Sequence, residues 1–196
     1  MDLSPYQQAL LALAAESESA AIALWLQAEA LGDQVLAAAL ATVLATFTGR
    51  AAVLASTAWS VQASMALGAP VPATPVLLSD SDIDRLTKAA TTVLTTAAAS
   101  STPQAIIGRL ARAEPLHTAA QTYHSELSNS PLVQGWTRQM DHDPCQLCHW
   151  WWREGRIWPK KHPFQRHTGC ACTPRPVWAT DIRSTRKTRR MERNTA

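Results

Sequence analysis

The sequence predicts a mainly α protein. Long alanine-rich helices occupy residues 1–131, a small β-hairpin module bearing cysteine and histidine occupies 132–177, and a basic tail occupies 178–196. Three observations carry this reading. Before residue 132, apolar residues recur at helical spacing, interrupted at a few glycine and proline positions. The hydrophobic share of 46% is dominated by alanine and leucine, with two Phe and two Tyr, which suits thin, closely packed helices rather than a thick sandwich core. All four cysteines and four of the eight tryptophans fall between Asp143 and Pro174, so the character of the chain changes there.

Ser4 followed by Pro5 is a good helix start, and the stripe Leu10, Leu13, Ala14, Ser17 and Ala21 to Leu24 extends that helix toward Leu31. Gly32 and Asp33 punctuate it. A second helix is expected from Asp33 to about Leu67, with Leu36, Leu40, Val43, Phe47, Leu54 and Trp59 on one broad face and Gly49 as the place for a bend. Ala37, Ala38, Ala39, Ala41 and Ala45 allow close backbone approach, so the two helices should pair antiparallel. Gly68 to Ser79 holds three prolines and reads as a linker or extended arm. Ser79, Asp80 and Asp82 offer caps for a third helix reaching about Ala98. Thr102 and Pro103 start a fourth, with Ile106, Ile107 and Leu110 as its stripe. Pro115 is expected to end or restart it before Leu116 to Leu127. So much alanine around a proline-rich break suggests helices that draw part of their burial from neighbouring subunits.

Leu132 to Met140 alternates as a strand should, and Arg156 to Trp158 is a plausible return strand. From Arg175 onward the chain is basic and shows no pattern that would form a core. Charge is segregated. Met1 to His149 carries six Lys/Arg against twelve Asp/Glu, and Trp150 to Ala196 carries twelve against three. An anionic partner would meet the basic end, through Arg153, Arg156, Lys160, Lys161, Arg166, Arg175 and above all Arg183, Arg186, Lys187, Arg189, Arg190 and Arg193. Side chains of this kind neutralise DNA phosphates without reading sequence, so the expected contact is non-specific and salt-sensitive. No secretory signal is read at the N-terminus, where Asp2 replaces a basic lead and Glu16 and Glu18 interrupt the apolar run. The uncharged, alanine-rich run 34–48 is short for a bilayer, and no membrane partner is expected.

Cys145 and Cys148 form a CxxC pair, and His167, Cys170 and Cys172 follow after a segment rich in Trp, Gly and Pro. Thiolate and imidazole in paired, short spacings suit the tetrahedral preference of zinc, whereas one cluster in an unexported protein argues against disulfides. The expected cofactor is therefore a structural zinc ion on a knuckle-like hairpin. Five donors compete for four places. Cys145, Cys148 and His167 with one of Cys170 or Cys172 is the preferred set, and both CxxC cysteines with Cys170 and Cys172 is the rival. His142, His149 and His162 read as surface or packing residues. Trp150, Trp151 and Trp152 cannot all face one core, so at least one should be exposed or held by a partner.

The run GWTRQMDHDPCQLCHWWWREGRIW with HPFQRHTGCACTPRPV resembles the C-terminal Cys/His motif of the phage Mu F-like minor head proteins, in the version carried by tailed phages of actinobacteria. The matching parts are Gly135 to Arg138, Cys145 and Cys148, Gly155 to Trp158, and the group His167, Cys170, Cys172. The resemblance covers Leu132 to Val177. It implies a non-enzymatic minor capsid protein of the virion, made in the host cytoplasm and lying inside the head near the portal vertex in several copies. It would take part in head assembly, DNA packaging or genome ejection. Its implied partners are the portal protein, with the major capsid protein as a further candidate, and packaged double-stranded DNA. Two other readings belong to different classes: an HNH-like (ββα-metal) nuclease, for which Lys161, His162 and His167 are a faint echo, and a zinc-ribbon DNA-binding regulator. The nuclease reading lacks an orienting asparagine, since none lies between Asn129 and Asn194.

Overall fold

The computed structural model describes residues 3–179. Arg183, Arg186, Lys187, Arg189, Arg190 and Arg193, named above for DNA contact, lie outside the described residues. Helices α1 (Pro5–Trp25), α2 (Ala28–Leu31), α3 (Asp33–Leu67), α4 (Asp80–Ala98) and α5 (Pro103–Asn129) come first. Strand β1 (Val133–Gln139), helix α6 (Gln146–Trp152), strand β2 (Trp158–Pro159) and strand β3 (Thr173–Trp178) complete the chain. The fold is mainly α with a three-stranded antiparallel sheet at its C-terminal end, in the order β2-β1-β3.

The helix starts follow from local chemistry. Ser4 Oγ accepts from the Gln7 amide at 3.2 Å while Gln7 Oε1 accepts from the Ser4 amide at 3.1 Å, so two otherwise orphaned donors are satisfied at once. Ser79 and Asp82 repeat this at α4. The first helix stops earlier than expected: Leu26 and Gln27 turn before α2, and Gly32 at φ 72° leads into α3. Nothing in the sequence explains the turn at Leu26. α3 runs through Gly49 without interruption.

The expectation that Pro115 ends or restarts a helix is not met, because α5 continues through it. Proline at 115 deprives the Ala111 carbonyl of its helical donor. The Ser17 hydroxyl, fully buried on α1, donates to that carbonyl at 2.7 Å and replaces the missing bond. Ser17→Ala should therefore cost about 1–3 kcal/mol, the penalty for a buried carbonyl left without a partner. The midpoint of urea unfolding would show it, and an unchanged midpoint would mean that α5 tolerates Pro115 unaided.

α1, α3 and α5 pack mutually, and α4 closes against α3 and α5. One apolar cluster, with Leu40, Leu44, Leu86, Ala90, Ile107 and Ala111, lies under α4. A second begins at Tyr6, Leu10, Trp59 and Tyr123 and continues into Trp136, Met140, Phe164, Cys148, Cys170 and Cys172. The core thus crosses residue 131 without a break. α3 is long and apolar enough to cross a membrane by length and composition. In this fold its Leu36, Leu40, Leu44, Ala51, Ala55, Trp59 and Ala63 are buried, while Val35, Val53, Val61 and Met65 face outward. The proline-rich segment after it is extended and pinned along α3. Ser60 Oγ donates to the Val71 carbonyl (2.5 Å), Ser56 Oγ to that of Thr74 (2.9 Å), and Ser64 Oγ accepts from the Val71 amide (2.8 Å).

The C-terminal module departs from a simple hairpin. The return strand lies at β2, one to two residues beyond the expected Arg156 to Trp158. β3 runs on from Thr173 to Trp178, through residues from Arg175 onward where the sequence shows no core-forming pattern. Pro174 and Pro176 concealed it. β3 is an edge strand, the one sheet position where prolines are tolerated. β1 is central and pairs Trp136 with Trp158 on one side and with Pro176 on the other.

Candidate metal centre

The five predicted donors come together from two short segments. Cys145 caps the N-terminus of α6, and Cys148 sits within its first turn and is buried. CxxC is therefore carried by a helix start rather than by a hairpin strand. After β2 the chain returns through a tight turn, in which the Cys170 amide donates to the His167 carbonyl at 3.2 Å and Gly169 takes φ 78°. Cys172 leads directly into β3.

Cys145 Sγ lies 3.8 Å from Cys148 Sγ, and His167 Nε2 lies 3.1 and 3.3 Å from those two sulfurs. Cys170 Sγ is 3.6 Å from Cys148 Sγ. Two triads result, Cys145–Cys148–His167 and Cys148–Cys170–Cys172, with Cys148 common to both. A tetrahedral zinc ion with Zn–S near ~2.3 Å and Zn–N near ~2.05 Å places its sulfurs ~3.8 Å apart and its sulfur and nitrogen ~3.5 Å apart. The measured separations match the first value and fall slightly inside the second. The donor types suit such an ion, and each triad gathers its three donor atoms within 4.8 Å of one another, so the cluster could hold a metal.

The surroundings orient the donors. His167 Nδ1 is 3.0 Å from the Thr168 carbonyl, so Nδ1 carries the proton and the Nε2 lone pair faces the thiols, the usual arrangement of a ligating histidine. Trp151 stacks on the imidazole at 6.2 Å and 27°. Buried Gln7, at the start of α1, donates through Nε2 to the carbonyls of Met140 (3.2 Å) and Ala171 (3.3 Å), which ties the helical body to the backbone between Cys170 and Cys172. Among the thiols, burial pushes Cys148 up to about 12. A hydrogen bond from Cys172 to Cys170 draws Cys170 down to about 5 and pushes Cys172 upward.

Sequence reasoning missed Arg138. It sits on β1 with 3% of its surface exposed, donates through Nη2 to the Gln165 carbonyl, and lies over the rings of Phe164 (4.3 Å) and Trp151 (5.3 Å). Its Nε and Nη1 find no hydrogen-bond partner, and no ion pair among the described residues includes it. A buried guanidinium without an anion is costly. The signal was present in the strand pattern: Trp136, Arg138 and Met140 are alternate residues and all are buried, so a charge stood in line with the inward face.

The other histidines are elsewhere. His142 and His149 are exposed, and His162 stacks on Trp158 at 4.3 Å and 10°. Of the three consecutive tryptophans, Trp150 is 58% exposed, with Leu147 and Ile157 also exposed on the module. Trp151 and Trp152 are half-buried. No protein-family model, curated protein or solved structure is detectably similar to this chain.

Proposed function

We propose that this chain is a structural protein whose C-terminal sheet is clamped to a helical body by one zinc ion, and that it serves as a minor component of a tailed-phage head. The observation that carries the metal reading is the buried, unpaired guanidinium of Arg138 beside a cluster of soft donors. A divalent ion held by three thiolates and one neutral imidazole has one net negative charge, which supplies the anion that Arg138 lacks. The set we favour is Cys145, Cys148, His167 and Cys170, whose sulfur lies 3.6 Å from that of Cys148, with Cys172 of the same triad as the competing fourth donor. Cys172 is the spare thiol, buried beside the centre. Zinc supplies folding energy here by holding α6 and the 167–170 turn against β1.

The virion reading is supported by the resemblance of residues 132–177 to the Mu F-like motif and by the basic C-terminal end. In it, Arg183 to Arg193 contact packaged DNA through phosphates, and the helical body meets the portal. Two measurements test it. Mass spectrometry of intact virions should find the protein at a few copies per particle, in a complex with the portal ring after gentle disruption. Duplex DNA binding by the full chain should be sequence-independent, weaken steeply with salt, and disappear when residues 183–193 are deleted. Absence from virions combined with binding to one specific operator would instead favour the zinc-ribbon regulator.

A further inference from the structure

We propose that the cleft between α5 and the 166–170 turn, which borders the candidate metal centre at His167 and Cys170, is a binding site for a phosphate group. The cleft has a volume of about 480 Å³. One wall is a single face of α5, with Ile106, Arg109, Leu110, Ala113, Glu114 and His117. The other is the 166–170 turn, with Arg166 and Thr168 beside the candidate ligands His167 and Cys170. Such a volume accommodates a phosphate together with an attached sugar or ester chain.

The charge in this cleft is unbalanced. Its one carboxylate, Glu114, is already engaged by Arg85, whose two terminal nitrogens lie 3.0 and 2.9 Å from its oxygens. Arg109 and Arg166 enter no ion pair among the described residues. Arg166 is half-buried and donates through Nη2 to His117 Nε2 at 2.8 Å. A neutral ring nitrogen is a weak partner for a guanidinium, and it leaves the remaining N–H groups of Arg166 available. His117 accepts at Nε2 and so carries its proton on Nδ1. Burial and the neighbouring Arg166 hold its pKa below the ordinary histidine value, which keeps it in this neutral form. Two guanidinium groups, an imidazole N–H and the exposed Thr168 hydroxyl thus line one recess in which Glu114 is held by Arg85 and the Cys170 sulfur belongs to the thiol cluster.

Planar guanidinium groups pair bidentately with phosphate, and two together discriminate a doubly charged oxyanion from chloride. Glu114 limits the choice further. Its carboxylate on the same wall disfavours a long polyanion lying along α5 and suits a single phosphate held near Arg166. The phosphate could be one link of a DNA backbone or a free phosphate ester.

The experiment uses the full-length, zinc-loaded protein, with inorganic phosphate and a short DNA duplex as separate probes at constant ionic strength set by chloride. Phosphate at millimolar concentration should shift the His117 ring resonances and raise the melting temperature above that in chloride alone. Arg109→Gln, on an exposed side chain, and Arg166→Gln should each weaken phosphate binding by about tenfold or more, the effect of one charge-assisted hydrogen bond. Displacement of phosphate from His117 by the duplex would assign the site to DNA backbone; retention of phosphate beside bound duplex would assign it to a free ester. No shift at His117, or equal affinity in wild type and the Arg109→Gln, Arg166→Gln double variant, would overturn the proposal.

Discussion

Cys148→Ser is expected to abolish zinc binding and loosen the C-terminal third of the protein while leaving most of the helical signal intact. Cys148 is the one donor common to both triads, and it is almost fully buried. Serine is a poor zinc ligand, and its hydroxyl would stand among thiols that offer it no strong acceptor. Metal binding at sites of this kind is itself folding energy, of order 10 kcal/mol or more in small zinc domains. Here part of that is replaced by the shared core, because Trp136, Met140 and Phe164 pack with Tyr6, Trp59 and Tyr123 whether or not the ion is bound. A loss of at least about 4 kcal/mol remains, equivalent to roughly 10 °C in melting temperature for a chain of this size. Far-ultraviolet circular dichroism should change little at room temperature, since α1, α3, α4 and α5 bury their faces against one another. Tryptophan fluorescence should change, because Trp151 stacks on His167. Wild-type stability in Cys148→Ser would remove the clamp from the account.

Arg138→Gln is expected to lower zinc affinity by about 10–100-fold, the range seen when an outer partner of a metal site is removed. Glutamine preserves most of the packing against Phe164 and Trp151 but removes the charge. The anionic centre would then be buried without a counter-ion. Arg138→Lys should restore most of the affinity, although it cannot keep both ring contacts with the same planar geometry. Competition with a chelator measures this directly. Equal loss in the Gln and Lys variants would make Arg138 a packing residue rather than a charge partner.

Much of the fold was legible because its signals are local. Ser4 with Gln7 and Ser79 with Asp82 start helices through bonds within one turn. Three prolines in 68–79 forbid a helix wherever that segment goes. The five donors were legible as a set for the same reason: short spacings confine them.

What the sequence concealed depends on distant partners. Pro115 lies inside a helix because Ser17, 98 positions earlier and on another helix, supplies the missing bond to Ala111. β3 was hidden because edge position, which excuses Pro174 and Pro176, is a property of the sheet and not of the strand. Arg138 stands in line with the inward face of β1, but the rings that cover it, Trp151 and Phe164, come from later segments of the chain. The competition between Cys170 and Cys172 is likewise not local, since both sulfurs gather with that of Cys148 from across the module.

X-ray absorption at the zinc edge of protein purified without added metal or chelator tests the proposed closed, anionic zinc site most directly. One zinc per chain with three sulfur neighbours near ~2.3 Å and one nitrogen near ~2.0–2.1 Å is the expected result. Protein free of metal with its cysteines paired as disulfides, or a zinc ion with an oxygen in place of one of these four ligands, would contradict it.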